Sequence, residues 1–151
     1  MLRTPRAALA ALMIVASFAL VACGESEDNQ FKEDYNEAVK PLSELNSDIG
    51  NSIGTAAGKS NNELANEFNK LADKAQQTRD NLSELDPPDD AKEEFDKLLS
   101  SLQDGTDDLK AVAQAAKDGD PQAAAKASQD LVQSGTEIQK AETALQQAVD
   151  G

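Results

Sequence analysis

Cys23 is the only cysteine in this 151-residue chain, and it directly follows a run of apolar residues. The chain has no histidine, so a serine nucleophile has no imidazole base and zinc sites built on cysteine and histidine are excluded. Haem and di-iron sites in helical proteins need histidine or methionine, and Met1 and Met13 both lie in the N-terminal apolar segment. We therefore predict that the chain is not an enzyme and holds no cofactor.

Carboxylates are the remaining groups that could do chemistry. The segment from Asp104 to Asp108 (DGTDD) has some features of a calcium loop but lacks the full ligand pattern. It also lies inside a continuous helical pattern, which favours a solvated helix face over weak surface calcium binding. Pairs such as Asp89 with Glu93, or Glu25 with Glu27, arise by chance among 28 acidic residues. Nothing in the sequence indicates the burial that would shift the pKa of any of them.

The first 22 residues have the parts of a secretory signal peptide. Arg3 and Arg6 form a short basic region, and Glu25 is the first acidic residue. The stretch of 16 residues from Ala7 to Ala22 is apolar apart from Ser17. A helix needs about 20 such residues to span a bilayer. The segment is therefore typical of a cleaved leader rather than a permanent membrane span.

The end of this leader resembles the lipobox of bacterial lipoproteins. Leu20 and Val21 precede Ala22 and Cys23, and Gly24 follows the cysteine. The resemblance implies cleavage between Ala22 and Cys23, and attachment of a diacylglyceryl group, with acyl chains such as palmitate, to the Cys23 sulfur. Each buried methylene contributes about 0.8 kcal/mol, and stable anchoring takes at least two signals. We expect a lipid-anchored protein at the extracytoplasmic face of the cell membrane.

Two alternatives for the leader stay open at this stage. One is an ordinary signal peptide cleaved after Ala22, and the other is an uncleaved N-terminal anchor. The rest of the chain looks like small helical lipoproteins of Gram-positive bacteria. That likeness depends on the lipobox and on the pattern that runs from Leu82 and Leu85 to Pro87 and Pro88.

The mature chain is strongly acidic. Loss of the two leader arginines takes the formal net charge from −14 to −16. Nucleic-acid binding is excluded because phosphate contacts require clustered lysines and arginines. Anionic lipid headgroups should repel the chain as well. The expected membrane contact is therefore the lipid on Cys23, and an acidic surface favours a cationic protein or cell-wall partner.

The mature chain shows four helical patterns of apolar residues, with turns near residues 58–61, 86–89 and 118–121. Residues 1–22 are predicted to be the signal peptide, 23–30 the lipidated cysteine with a polar tether, and 31–151 the folded domain. Short turns between long helices favour an all-α, antiparallel up-down-up-down four-helix bundle. The positions expected to face the core are Phe31, Tyr35, Ala38, Leu42, Leu45, Ile49, Ile53, Ala56, Leu64, Phe68, Leu71, Ala75, Thr78, Leu82, Leu85, Ala91, Phe95, Leu98, Leu102, Gly105, Leu109, Val112, Ala116, Ala124, Ala127, Leu131, Ser134, Ile138, Ala141, Leu145 and Ala148.

Residue types at the helix ends predict where each helix starts or bends. Pro41 should kink the first helix near Ala38, because it removes a backbone hydrogen bond. Ser60 should open the second helix in a capping box with Glu63. The Asp89–Asp90 pair should begin the third helix, where the helix dipole favours acidic groups. The last helix should start with Asp120 at its N-cap, followed by Pro121.

The expected topology brings large side chains together at the tether end and alanines together at the far end. The tether-end cluster comprises Phe31, Tyr35, Leu82, Leu85, Phe95, Leu145 and Val149. The far end comprises Phe68 and the alanines Ala56, Ala57, Ala113, Ala116, Ala123, Ala124 and Ala127. Gly50, Gly54, Gly105 and Gly135 lie inside predicted helices, which points to close helix approach or to a cavity or hinge for a ligand.

No group of residues indicates a specific biochemical activity, so the sequence leaves three functions open. The first is an interaction module whose acidic faces bind a cationic protein or wall component. The second is a carrier of an apolar small molecule or lipid within the bundle. The third is a passive structural spacer on the cell surface.

Overall fold

The computed structural model describes residues 27–150, which are helical apart from the turns and contain no strand. The predicted all-α class is therefore confirmed over this range. The leader and Cys23 lie outside the described residues. The helices are α1 (Glu27–Ala38), α2 (Lys40–Thr55), α3 (Asn61–Ser83), α4 (Lys92–Asp118) and α5 (Pro121–Asp150), with a 3₁₀ turn at Ala56–Gly58.

The first predicted helix is divided into α1 and α2 at Val39. The Val39 amide still donates to the Tyr35 carbonyl at 3.0 Å, so the helical ladder of α1 runs up to this residue. Pro41 then occupies the first turn of α2, where its missing N–H has no intrahelical role. The predicted interruption is confirmed, and it separates a short helix of 12 residues from the rest of the domain.

Helix α1 begins within the segment that was predicted to be a tether, residues 23–30. The helix starts at Glu27, so the last four residues of that segment are helical. One contribution is local, because the Gln30 side chain donates to both carboxylate oxygens of Asp34 at 2.9 and 3.0 Å. Side chains four residues apart are neighbours on a helix, and such pairs stabilise it.

The capping box at the start of α3 is present as predicted. The Ser60 amide donates to Glu63 Oε2 at 2.9 Å, and the Glu63 amide donates to the Ser60 hydroxyl at 3.4 Å. The Ser60 hydroxyl also donates to Glu63 Oε2 at 2.6 Å, and this bond, together with the one from the Ser60 amide, lowers the pKa of Glu63 because both favour the carboxylate form. Two amides that the helix leaves without partners are thereby satisfied.

The start of α4 differs from the prediction. The helix begins at Lys92, and Asp89 and Asp90 lie in the turn before it. The Ala91 amide donates to the Pro88 carbonyl at 2.9 Å, so the two aspartates are the central residues of a tight turn. Acidic residues do occupy the first turn of the helix, but they are Glu93 and Glu94.

The turn between α4 and α5 follows the prediction. The Asp120 carboxylate accepts from the amides of Gln122 and Ala123 at 2.9 and 3.0 Å, which confirms its role as the N-cap of α5. Gly119 ends α4 in the left-handed conformation with φ of 66°. The Asp120 amide donates back to the Ala115 carbonyl at 3.1 Å, as in a Schellman motif.

The core is centred on α4, which packs against α3 on one side and α5 on the other, while α2 lies against α3. Every core-facing position predicted from Ala91 to Ala116 is buried, and burying each leucine or phenylalanine contributes about 1.5–3 kcal/mol.

Val39 and Ser52 are also buried, although they were not predicted. The predicted positions that are only partly buried are Ala38, Ile49, Ile53, Ala56, Leu64, Leu85, Ala124, Leu131, Ile138 and Ala148.

Candidate functional site

The cleavage and lipidation site that the lipobox predicts, Ala22 and Cys23, lies outside the described residues. Within residues 27–150, no helix combines the length and the apolar character that crossing a membrane requires. The candidate sites that the structure does describe are two openings, at opposite ends of the domain.

The first opening is a groove of about 840 Å³ between α1 and the turn that joins α3 to α4. We call it the acidic groove, because half of its ten lining residues carry carboxylates and none is lysine or arginine. The rest of its lining is Gln30 and the apolar residues Phe31, Leu85, Pro87 and Pro88. Its carboxylates are Asp34, Glu84, Asp86, Asp89 and Asp90.

Aromatic packing fixes the wall of the acidic groove that α1 supplies. The Phe31 ring meets Phe95 edge to face with centroids 5.6 Å apart, and it lies 5.9 Å from the Tyr35 ring. These contacts confirm that the aromatic members of the tether-end cluster lie together. On the opposite wall, Pro87 and Pro88 limit the backbone freedom of the turn that carries Asp86 and Asp89. The acidic groove therefore has walls fixed by packing as well as a negative charge.

The second opening, which we call the distal opening, has a volume of about 450 Å³ at the far end. It lies beside the turn at Gly119 and is mainly apolar, with Asn61, Asp120 and Ser128 as its polar members. Far-end residues that were predicted to cluster, such as Phe68 and Ala116, do line it together. Its apolar lining is Ile53, Ala56, Leu64, Phe68, Val112, Ala115, Ala116, Ala124, Ala125 and Pro121.

The Asp104–Asp108 segment lies wholly within α4. The Asp107 carboxylate pairs with Lys110 at 3.4 Å, and the Thr106 hydroxyl donates to the Leu102 carbonyl at 2.8 Å. The Asp108 carboxylate accepts from the Ser134 hydroxyl of α5. These side chains therefore serve the helix and its packing. Residues 27–150 contain no cluster of three or more potential metal ligands.

Glu142 is a buried carboxylate that the sequence analysis missed. It lies on α5 with 7 % of its surface exposed, and burial raises its pKa from 4.5 to about 7. The expectation that no carboxylate would be buried enough to shift its pKa is therefore wrong at this position. The sequence did indicate this burial, because Glu142 is four residues after Ile138 and three before Leu145, which places it beside the apolar face of α5. By contrast, Glu93 is exposed, and its pKa is lowered by its hydrogen bond to Lys97.

Two polar contacts join neighbouring helices. The buried Ser52 of α2 lies close enough to Glu67 of α3 to help lower the pKa of that carboxylate, which also pairs with Lys59. The Lys59 bond is the main reason that the pKa of Glu67 is lowered. The Ser134 hydroxyl of α5 donates to Asp108 of α4 across the other interface. Buried polar groups are tolerated in a core when they find such partners.

The glycines predicted inside helices lie in two different environments. Gly105 is buried on α4, and a Cβ placed on it would lie 3.3 Å from Ile138 Cδ1. This confirms close helix approach at Gly105. Gly50 and Gly54 are exposed on α2, with no atom within 4 Å of an added Cβ. Close approach is the wrong explanation for these two, and neither lines the distal opening.

Comparison with known proteins identifies no relative of this chain. No family model matches the chain, and no curated protein and no solved structure is significantly similar to it.

Proposed function

We propose that the chain is a membrane-anchored extracytoplasmic lipoprotein whose helical domain is a non-catalytic interaction module for a cationic partner. The leader and the lipobox pattern around Cys23 support the anchoring. The acidic groove carries the interaction, because five carboxylates face an opening with no lysine or arginine in its lining. Charge complementarity of this kind steers association and selects among partners.

The arrangement that we propose for the helices is the antiparallel up-down-up-down bundle. It is supported by the Lys32–Asp150 ion pair of 2.8 Å, which brings α1 next to the end of α5. It is also supported by Asn61, which lies beside Gly119 and so joins the starts of α3 and α5 at the far end. In this arrangement the acidic groove lies at the tether end. A lipid on Cys23 would then hold the groove close to the membrane surface.

Binding of a decalysine peptide tests whether the groove is the binding surface. The variant is the triple replacement of Asp86, Asp89 and Asp90 by asparagine. The matched control is the same replacement of Asp73, Asp96 and Asp104, which are exposed, lie outside the groove and change the net charge equally. We expect the groove variant to lose several-fold more affinity than the control at low salt. Equal losses in the two variants would show that only the total charge matters.

The distal opening supports a second candidate, the carrier of an apolar small molecule or lipid. Its lining is mainly apolar, and such lining is typical of small-molecule sites. Native mass spectrometry of protein purified from its membrane should then show a retained apolar ligand, which Ala116→Phe should abolish. If neither the peptide nor a retained ligand is found, the third candidate, a passive structural spacer, is the function that stands.

A further inference from the structure

The distal opening exists because small side chains take the place of large ones at the far end of the core. On α4 the buried leucines end at Leu109, and the residues beyond them that line the opening include Ala115 and Ala116. On α5 the lining includes Ala124 and Ala125. Side chains of this size do not fill the space between the helices, so an opening of about 450 Å³ remains.

Apolar side chains around the distal opening are left partly in contact with water. Ile53 of α2 and Leu64 of α3 line it and are only partly buried, while Ala125 is exposed. Phe68, which is 2 % exposed, also lines it. Covering this surface is favourable because it removes apolar area from water. The volume lies within the range of about 300–1,000 Å³ that is typical of small-molecule sites, so a single aliphatic chain suits it.

Two unused hydrogen-bond acceptors lie among the lining residues. Asp120 Oδ1 accepts from the amides of Gln122 and Ala123, whereas Oδ2 accepts no hydrogen bond from the described residues. Asp120 also forms no ion pair within residues 27–150. The side chain of Asn61, which lines the same opening, forms no hydrogen bond within that range either. A ligand group that donates hydrogen bonds would therefore find acceptors already in place.

The charge of the lining favours a cationic ligand group over an anionic one. Asp120 is the only charged residue in the lining, which contains no lysine or arginine. The N-terminus of α5 could attract an anion through the helix dipole, but the Asp120 carboxylate already occupies that position. A carboxylate or phosphate head would therefore meet a negative charge, whereas a protonated amine would form a charge-assisted hydrogen bond with Asp120.

We propose that the distal opening binds a single-chain amphiphile with a protonated amine head, whose aliphatic chain lies over Phe68 and whose head lies beside Asp120. This inference rests on the second candidate function, the carrier of an apolar small molecule, and it names the head group and the site of that ligand. The aliphatic chain removes Ile53 and Leu64 from water. The head supplies the donor that Asp120 Oδ2 and the Asn61 side-chain oxygen lack.

Photoaffinity labelling of the full chain in phosphatidylcholine vesicles tests the site. The two probes are dodecylamine and dodecanoate, each with a diazirine at the end of its alkyl chain. Peptide mapping by mass spectrometry then locates the labelled residues. We expect the amine probe to label the segments of α3, α4 and α5 that line the distal opening, and the carboxylate probe to label them less.

Two pairs of variants separate the apolar site from the head group. Ala125→Phe fills the opening, and Ala123→Phe is its control, because Ala123 is exposed on the same helix but does not line the opening. Asp120→Asn removes the charge and retains the N-cap, since asparagine caps helices as well as aspartate does. Asp118→Asn makes the same charge change two residues earlier, at an exposed position outside the lining.

We expect Ala125→Phe to lose most of the labelling of the opening by the amine probe, while Ala123→Phe keeps it. Asp120→Asn should lower the ratio of amine to carboxylate labelling about fivefold relative to Asp118→Asn, because a charge-assisted hydrogen bond becomes a neutral one. Comparing this ratio between two variants cancels any difference in how the two probes partition into the vesicles.

Each way in which the result could differ has its own meaning. If the opening is labelled but the ratio is equal in Asp120→Asn and Asp118→Asn, the amine head is refuted and the carrier function stands. Equal labelling of Ala125→Phe and Ala123→Phe, or no labelling of the opening by either probe, refutes the site and the carrier function together. A dimer mass in native mass spectrometry that Ala125→Phe removes would assign a second copy of the chain to the opening and overturn the proposal. If circular dichroism shows that Ala125→Phe does not fold, the aspartate pair decides alone.

Discussion

Gly105 of α4 and Ile138 of α5 lie so close that a Cβ on the glycine would be 3.3 Å from Ile138 Cδ1. That distance is below ordinary van der Waals contact, and Ser134 Cβ is also near, at 3.9 Å. Glycine costs a helix about 1 kcal/mol relative to alanine. At this position the cost is offset by the close packing of two helices, because the missing side chain leaves room for the isoleucine.

Replacing Gly105 by leucine should therefore destabilise the protein. The larger side chain must displace Ile138, and overpacking a core costs about 1–3 kcal/mol. Chemical denaturation monitored by circular dichroism would measure the loss. Gly50→Ala is the matched control, since the space around Gly50 is open, and it should stabilise the domain by about 1 kcal/mol. A Gly105→Leu variant as stable as wild type would contradict the close approach.

Gly119→Ala should destabilise the domain for a different reason. The backbone of Gly119 has φ of 66°, a conformation that costs other residues about 1–2 kcal/mol. An added Cβ would also meet Asn61 Nδ2 at 2.9 Å. The free energy of unfolding should fall by at least this conformational cost. The double variant with Asn61→Ala separates the two effects, because it relieves the contact but not the strain.

The melting temperature should rise by several degrees when the pH is lowered from 8 to 5. The pKa of Glu142 is raised in the folded state, so its contribution to stability increases as the pH falls through 7 towards 4.5. Below about pH 4.5 the trend should reverse. The pKa values of Glu63, Glu67 and Glu93 are lowered in the folded state, and protonation removes their contribution. Calorimetry from pH 3 to 8 measures both slopes, and a steady fall from pH 8 to 5 would contradict the prediction.

Added sodium chloride should also raise the melting temperature. The mature chain has a formal net charge of −16, and screening relieves its self-repulsion. Screening weakens ion pairs such as Lys74–Asp48 and Lys126–Asp130 as well, but exposed pairs contribute little. Melting curves at about 20 and 500 mM salt provide the test, because the Debye length falls from about 20 Å to about 4 Å between these concentrations. An unchanged or lower melting temperature would show that repulsion does not limit stability.

Lipidation at Cys23 predicts a mature form that starts at this residue and carries added acyl mass. Mass spectrometry of the membrane-extracted protein measures both. Cys23→Ala should abolish membrane attachment, because the helices of residues 27–150 include none that could span a bilayer. Cys23→Ala protein that stays in the membrane fraction would contradict the lipid anchor, and a mature N-terminus elsewhere would contradict the cleavage site.

The sequence predicted the core best where large side chains repeat without interruption. In α4 the spacing of Phe95, Leu98, Leu102 and Leu109 leaves one helix face that can be buried, and all four are buried. In α5 the stripe is rich in alanine, so it does not identify the buried face as sharply. Glu142, which follows Ala141 directly, was missed for that reason.

Helix ends were predicted where a side chain satisfies the backbone locally, and less well elsewhere. Ser60 and Asp120 accept backbone hydrogen bonds at the expected positions. Asp89 and Asp90 were placed in a helix because acidic residues favour helix starts, but the Pro88–Ala91 hydrogen bond closes a turn around them first. The acidic groove could not be predicted, since it requires α1 and this turn to lie side by side.

The hydrogen bond from Ser134 to Asp108 has a consequence for how the chain finds its native pairing. Small residues recur on α5 every seven positions, at Ala127, Ser134, Ala141 and Ala148. A slip of one heptad along α4 would therefore place one small side chain where another had been, with little steric penalty. Only the native alignment gives Asp108 its hydroxyl donor, so this polar contact favours the native register together with the short capped turn at Gly119 and Asp120.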